Sequence, residues 1–218
     1  MTPEAPGSDL PSVHDPRVLR AIAHPVRNRI LSELSATGPM RAADVARELE
    51  IPANQASFHL RQLAKYGLVE EAPDEARDRR DRVWRVADER GVRVNLRELE
   101  DSPGGKAAVS VFRRTAAAKG YRVIDHAYAT EAPAGTFRAV TDESLKLTKD
   151  EAVELAGELD ELIQRWGART RARGRDGAGD GAGDGAGDGA GDGGDDRRTY
   201  QLFQVIQPYP EEHGAGAD

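Results

Sequence analysis

Apolar positions through residue 90 fall mostly at helical spacing and switch to strict alternation at a hairpin. Asp15-Pro16 is a helix start, with an acid to cap the first turn and a proline suited to its first position. Val18, Leu19, Ile22 and Ala23 then repeat helically. Pro25 opens a second helix with Val26, Ile30, Leu31 and Leu34 on its inner face, and Gly38-Pro39 ends it. Val45, Ala46 and Leu49 mark a third short helix, and Ile51 closes the turn after it. In the helix that follows, Ala56, Leu60 and Leu63 form one stripe at i, i+4 and i+7, and Gly67 stops it. Leu68 to Ala72 has strand character. After a charged turn, Pro73 to Asp81, the run Arg82-Val83-Trp84-Arg85-Val86 alternates like a returning strand. Two helices around a tight turn plus a two-stranded hairpin predict a winged helix-turn-helix.

The pattern beyond residue 100 predicts a second unit. Ser102-Pro103 precedes a helix from about Gly105 to Tyr128, with Ala108, Val111, Phe112, Ala116, Val123 and Ala127 inward. Thr136 to Thr148 reads as extended and ends in the alternating S-L-K-L-T. Thr148 and Glu151 form a capping box for a helix carrying Val153, Ala156, Leu159, Leu162, Ile163 and Trp166. Tyr200 to Pro210 is strand-like and is expected to pair antiparallel with the Thr136–Thr148 region. The predicted class is α+β, mainly α: a winged helix-turn-helix domain (15–90), then a smaller helical unit with a two-stranded antiparallel sheet (102–210). That unit is expected to supply dimerisation. Residues 1–14 and 211–218 read as disordered ends.

A low-complexity tract interrupts the second unit. Gly177 to Asp192 is four tandem G-A-G-D units. With almost no side-chain surface to bury and the largest backbone entropy to lose, 174–196 is expected to be a disordered loop. Gly/Asp repeats also bind calcium in β-rolls, but those need a nine-residue period and a large apolar residue, and here the period is four and that residue is missing.

The chemistry lies on the free face of the helix after the tight turn. Asn54, Gln55, Ser57, Phe58, His59, Arg61, Gln62 and Lys65 point away from the Ala56–Leu60–Leu63 stripe, and no acid occurs between Ile51 and Leu68. Amides pair with adenine edges, Arg with guanine, and an apolar contact meets the thymine methyl, so such a face suits a DNA major groove. Phe58 reads equally well as a folding contact.

The run L-R-A-I-A-H-P-V-R-N-R-I-L-S-E-L (Leu19 to Leu34), then D-V-A-R-E-L (Asp44 to Leu49), S-F-H-L-R-Q-L (Ser57 to Leu63) and G-L-V (Gly67 to Val69) resembles the ArsR-type winged-helix transcriptional regulators. The resemblance spans about residues 14 to 90. It implies a homodimeric bacterial regulator, usually a repressor released from operator DNA by an effector. It places Asn54, Gln55, Ser57, Phe58 and Arg61 at base edges, His59 near the phosphate backbone, and Arg77, Arg79, Arg80 and Arg82 in the wing. Asp74, Glu75, Asp78 and Asp81 interleave with those arginines, so the wing also reads as a solvated turn.

Composition narrows this further. The net charge of −7 opposes general attraction to nucleic acid, yet basic and acidic residues all but cancel between Asp15 and Arg90. Phosphate attraction depends on the patch within a Debye length, ~8 Å at physiological salt. A sequence-specific binder is therefore favoured over a coating protein. The chain has no cysteine, which removes the thiolates that metal-sensing relatives place in the helix before the reading helix. His14, His24, His59, His126 and His213 sit in separate segments without i, i+4 pairing. A His/carboxylate metal site assembled across a dimer stays open, although no metal or cofactor is expected. Tyr121, Tyr128, Phe137, Tyr200 and Phe203 read either as an effector pocket for an unknown small molecule or as the core of the second unit, and Trp84 and Trp166 as packing residues. No apolar run is long enough for a membrane helix, and the N-terminus lacks a signal-peptide pattern. A cytoplasmic protein is expected. No nucleophile–base pair or phosphate loop suggests an enzyme. The alternative functions are a winged-helix protein-interaction module without DNA binding and a cysteine-free metal-responsive regulator.

Overall fold

Asp15 and Pro16 start the first helix as their chemistry dictates. The Asp15 carboxylate accepts the Arg17 N–H at 2.8 Å, and Pro16 leads α1 (Pro16–Ala23). Residues 11–76, 82–177 and 197–208 are described in this computed structural model. His24, extended at φ −73° and ψ 124°, ends α1 and precedes α2 (Pro25–Thr37). Gly38 turns the chain at φ 98°, a conformation that disfavours any side chain. β2 (Met40–Arg41), α3 (Ala42–Glu48) and α4 (Ala53–Lys65) follow. In the turn between α3 and α4 Glu50 takes a left-handed φ of 53°, and the Ile51 N–H donates to the Ala46 carbonyl at 2.9 Å. The Leu68 N–H returns to the Leu63 carbonyl at 3.1 Å, closing α4 as read from Gly67.

The wing strands are β3 (Val69–Glu71) and β4 (Val83–Val86), joined through a single 3-10 turn at Pro73–Glu75 and residues outside the described set. With β2 they make an antiparallel sheet in the order β2-β4-β3, Met40 facing Trp84 and Val69 facing Val86. Its inner face joins α2, α3 and α4 in one core, where Ile30, Val45, Ala56, Leu60 and Leu63 are fully buried. This is the expected winged helix-turn-helix, in a molecule that is mainly helical with a small antiparallel sheet.

Four features depart from the sequence reading. Ser12–Val13, placed in the disordered N-terminus 1–14, is a strand (β1) pairing parallel with β5 (Arg93–Val94). A short helix, α5 (Leu96–Glu100), follows β5 in a stretch assigned to neither unit. Val13, Leu19, Ile22, Leu99, Ala108 and Val109 close a second core there, which fastens α6 (Gly105–Tyr128) to α1. The bounds of α6 match the expectation but its inward stripe does not. Ala108 is buried and Phe112 packed alongside as expected, but Val111 and Ala116 are exposed, and Gly105 and Val109 are buried in their place, because α6 meets α1 and α5 with its first turns.

The fourth departure concerns the C-terminal sheet. Residues 136–148 and 200–208 form neither a helix nor a strand, and their apolar side chains are exposed. Among the described residues one hydrogen bond joins them, the Phe137 N–H donating to Tyr200 Oη at 3.1 Å. A two-stranded ribbon is marginal without a buried face, and this single chain offers none. α7 (Lys149–Gly177) has the expected capping box: the Glu151 N–H donates to Thr148 Oγ1 at 3.2 Å and the Thr148 N–H to Glu151 Oε2 at 2.7 Å. It runs to Gly177, four residues into the segment read as a loop from 174. The rest of the G-A-G-D tract and residues 209–218 lie outside the described residues. Near its end α7 docks on α2. Arg171 Nη1 donates to the Ser35 carbonyl at 2.9 Å and Nη2 to Glu89 Oε2 at 2.6 Å.

Candidate nucleic-acid interface

α4 is seated by an inward stripe of Ala56, His59, Leu60 and Leu63, spaced i, i+3, i+4 and i+7. The opposite face exposes Asn54, Gln55, Phe58, Arg61 and Lys65, and half-exposes Ser57 and Gln62. Asn54 Oδ1 accepts the Gln55 N–H at 2.9 Å. No acid occupies the first turn of α4 and its only charged end residue is Lys65 in the last turn. The positive end of the helix dipole therefore faces outward uncompensated, which suits an anionic ligand. Phe58 is 50% exposed, too much for a core residue of its size.

His59 corrects the sequence reading. It is buried, so it is not set on the free face beside a phosphate. Its ring lies 4.9 Å from that of His24 and meets Phe58 edge-on at 5.3 Å. The Nδ1 atoms of His24 and His59 are buried without a hydrogen-bond partner among the described residues. Burial lowers the pKa of both rings, and the Arg27 charge adds to the effect. Arg27 is held there by donating to the Ala21 carbonyl at 2.8 Å and the Arg20 carbonyl at 3.1 Å, which caps the end of α1. The i, i+3, i+4, i+7 spacing that includes residue 59 was the available signal.

Arg77, Arg79 and Arg80, expected at the wing tip, lie outside the described residues. Arg82 lies 3.7 Å from Glu71 at the wing base, an exposed pair. Arg85 donates to Glu70 at 2.8 Å and to Asp74 at 3.2 Å, and these carboxylates raise its pKa. Two further cations that the sequence did not single out lie on the elements just before α4. Arg41 and Arg47 both bond Asp44 at the start of α3, at 2.8 and 3.0 Å, and hold its carboxyl below the usual range. The Arg47 side chain remains largely exposed.

Tyr121, Tyr128, Phe137, Tyr200 and Phe203 neither form a core nor line an enclosed cavity among the described residues; all are exposed. A cleft of about 290 Å³ lies elsewhere, between Leu34, Gly38, Arg85, Val86 and Arg171. Among the described residues no three His, Asp or Glu gather as a metal site, and no helix is long and apolar enough to cross a membrane.

Residues 22–72 match the family model described as a helix-turn-helix domain, about a quarter of the chain. No curated protein matches the chain. Solved structures align more loosely. One is a fragment (1–100) of a possible transcriptional regulatory protein from Mycobacterium bovis, 24% identical over 49% of this chain and 88% of that one, TM-score 0.30. A second is the homodimeric winged helix-turn-helix DNA-binding domain of Mb0332 from Mycobacterium bovis, a possible ArsR-family transcriptional regulator. It is 24% identical over 54% of this chain and 83% of that one, TM-score 0.29. YusO from Bacillus subtilis is 14% identical over 68% of this chain and 83% of that one, TM-score 0.30. The family match and the β2-β4-β3 sheet behind α4 together make residues 22–86 a winged helix-turn-helix.

Proposed function

We propose that this chain, with its winged helix-turn-helix, is a sequence-specific DNA-binding transcriptional regulator acting as a homodimeric repressor. α4, residues 53–66 with its end turn, reads the major groove, and the wing, residues 73–82, meets the flanking backbone or minor groove. The observation that carries this reading is the outward face of α4. It is acid-free and bears Asn54, Gln55, Phe58 and Arg61, held rigid by a fully buried inner stripe. In this geometry a recognition helix contacts base edges while the preceding helix crosses the backbone, which gives Arg47 a phosphate. Gln55 takes an adenine edge and Arg61 a guanine edge, each worth about 1–3 kcal/mol of discrimination.

Selection of bound sequences from a random duplex pool tests the reading. A recovered inverted repeat is expected. On that site Arg61→Ala should cost about 1–3 kcal/mol and relax one base position, while Arg47→Ala weakens all sequences alike. Failure to enrich any sequence would favour a winged helix that binds protein.

A further inference from the structure

Nearly all the large apolar side chains left in solvent belong to the C-terminal half, and on α7 they are Leu162, Ile163 and Trp166, part of one longer seam. Ala152, Leu155, Leu159, Leu162 and Trp166 recur at alternating spacings of three and four, the a and d positions of a heptad. Leu162 is 42% exposed and Trp166 53%. Ile163 extends the seam on one side. The opposite face carries Gly157, Gln164 and Arg171, and it is the face that docks on α2 through Arg171. α7 is therefore fixed by its back to its own winged domain, with the Leu162–Trp166 end of the seam turned outward and Ala152, Leu155 and Leu159 half-buried.

The charge along α7 is polarised. Its first half carries Asp150, Glu151, Glu154, Glu158, Asp160 and Glu161 against Lys149; from Arg165 to Arg173 every charged residue is arginine. A parallel copy would set acid beside acid. An antiparallel copy sets acid beside arginine.

We infer that α7 pairs with α7 of a second copy of this chain, antiparallel about a two-fold axis between residues 160 and 161. One register pairs the four large residues of the seam. Leu159 stacks on Leu162 of the other copy and Leu155 on Trp166, with both contacts repeated by symmetry, as a two-fold interface requires. In the same register Glu158 flanks Arg165 of the other copy on one side of the seam, and Ala156 flanks Ile163 on the other. Glu158 and Arg165 are exposed, and among the described residues Arg165 makes a 3.8 Å pair with Glu161 in its own helix. A parallel in-register pair would instead flank Glu158 with Ile163 and Arg165 with Thr170, without any ion pair.

This deepens the homodimer part of the function proposed above and is independent of DNA. The test is sedimentation and light scattering of the full chain, serially diluted, with circular dichroism confirming unchanged helix content in each variant. Glu158→Arg and Arg165→Glu each place like charges together twice per dimer, and each should weaken the dimer by roughly tenfold. The double variant Glu158→Arg/Arg165→Glu restores wild-type association. Trp166 emission should shift to the blue as the wild-type dimer assembles. A wild-type dimer indifferent to both single changes, or a double variant no better than the singles, overturns the seam and leaves dimerisation to another surface. A wild-type chain monomeric at every concentration overturns both the seam and the homodimer.

Discussion

Phe58 and Leu60 stand two residues apart on α4 and separate the fold from the function. Leu60 is fully buried beneath the helix. Truncation to alanine removes about three buried carbons, roughly 2.4 kcal/mol at ~0.8 each. The cavity left behind brings the expected cost to about 3–4 kcal/mol. Phe58 is 50% exposed, so Phe58→Ala forfeits about half the 1.5–3 kcal/mol of a fully buried ring, or about 1 kcal/mol. In urea melts followed by circular dichroism, Leu60→Ala should lower the midpoint strongly and Phe58→Ala slightly. In fluorescence anisotropy below both transitions the order reverses: folded Leu60→Ala keeps most of its DNA affinity and Phe58→Ala loses it. If Phe58→Ala destabilises as much as Leu60→Ala, Phe58 is a folding contact. If it melts near wild type and binds DNA equally well, the outward face of α4 is not the reading surface.

DNA binding should weaken by about 10³–10⁵ between 50 and 200 mM salt if a dimer contacts roughly 6–10 phosphates, and a flat titration would sink the electrostatic component. His24 and His59 titrate below the ordinary 6.5 in the folded chain, so the unfolded chain takes up protons first. Stability should be level above about pH 6.5 and fall as pH drops below it; His59→Leu should flatten that fall, and an unchanged slope would refute the assignment. A Cβ at Gly105 would collide with the Leu99 carbonyl, so Gly105→Ala should destabilise by about 1–3 kcal/mol by driving α6 off α5, read as a lower melting temperature.

The helix-turn-helix was legible because its signals are local: the stripe Ala56–Leu60–Leu63, a glycine at the end of α4, and alternation in β4. His59 was misplaced because a polar side chain was assigned to the polar face, although its spacing put it inside. α5 carried a signal of its own, since Asn95 and Glu98 bond reciprocally at its start, at 2.7 and 3.4 Å. The β1–β5 pair did not, because two residues on each side hold no periodicity. In the second unit, alternation suggested strands that the fold does not form. Pairing between segments so far apart is decided by which face is buried, and in this chain both faces of 136–148 stay wet.

The grip of Arg171 on Ser35 and Glu89 also sets a length. With two copies of α7 joined about the axis proposed above, each grip lies about 16 Å from that axis at 1.5 Å per residue. The two winged domains are then clamped to a rod at points about 32 Å apart, close to the ~34 Å of one duplex turn. α7 would serve as a ruler: a residue added between Trp166 and Arg171 both lengthens the span and rotates each reading head about the rod, throwing them out of phase with the groove without touching either one.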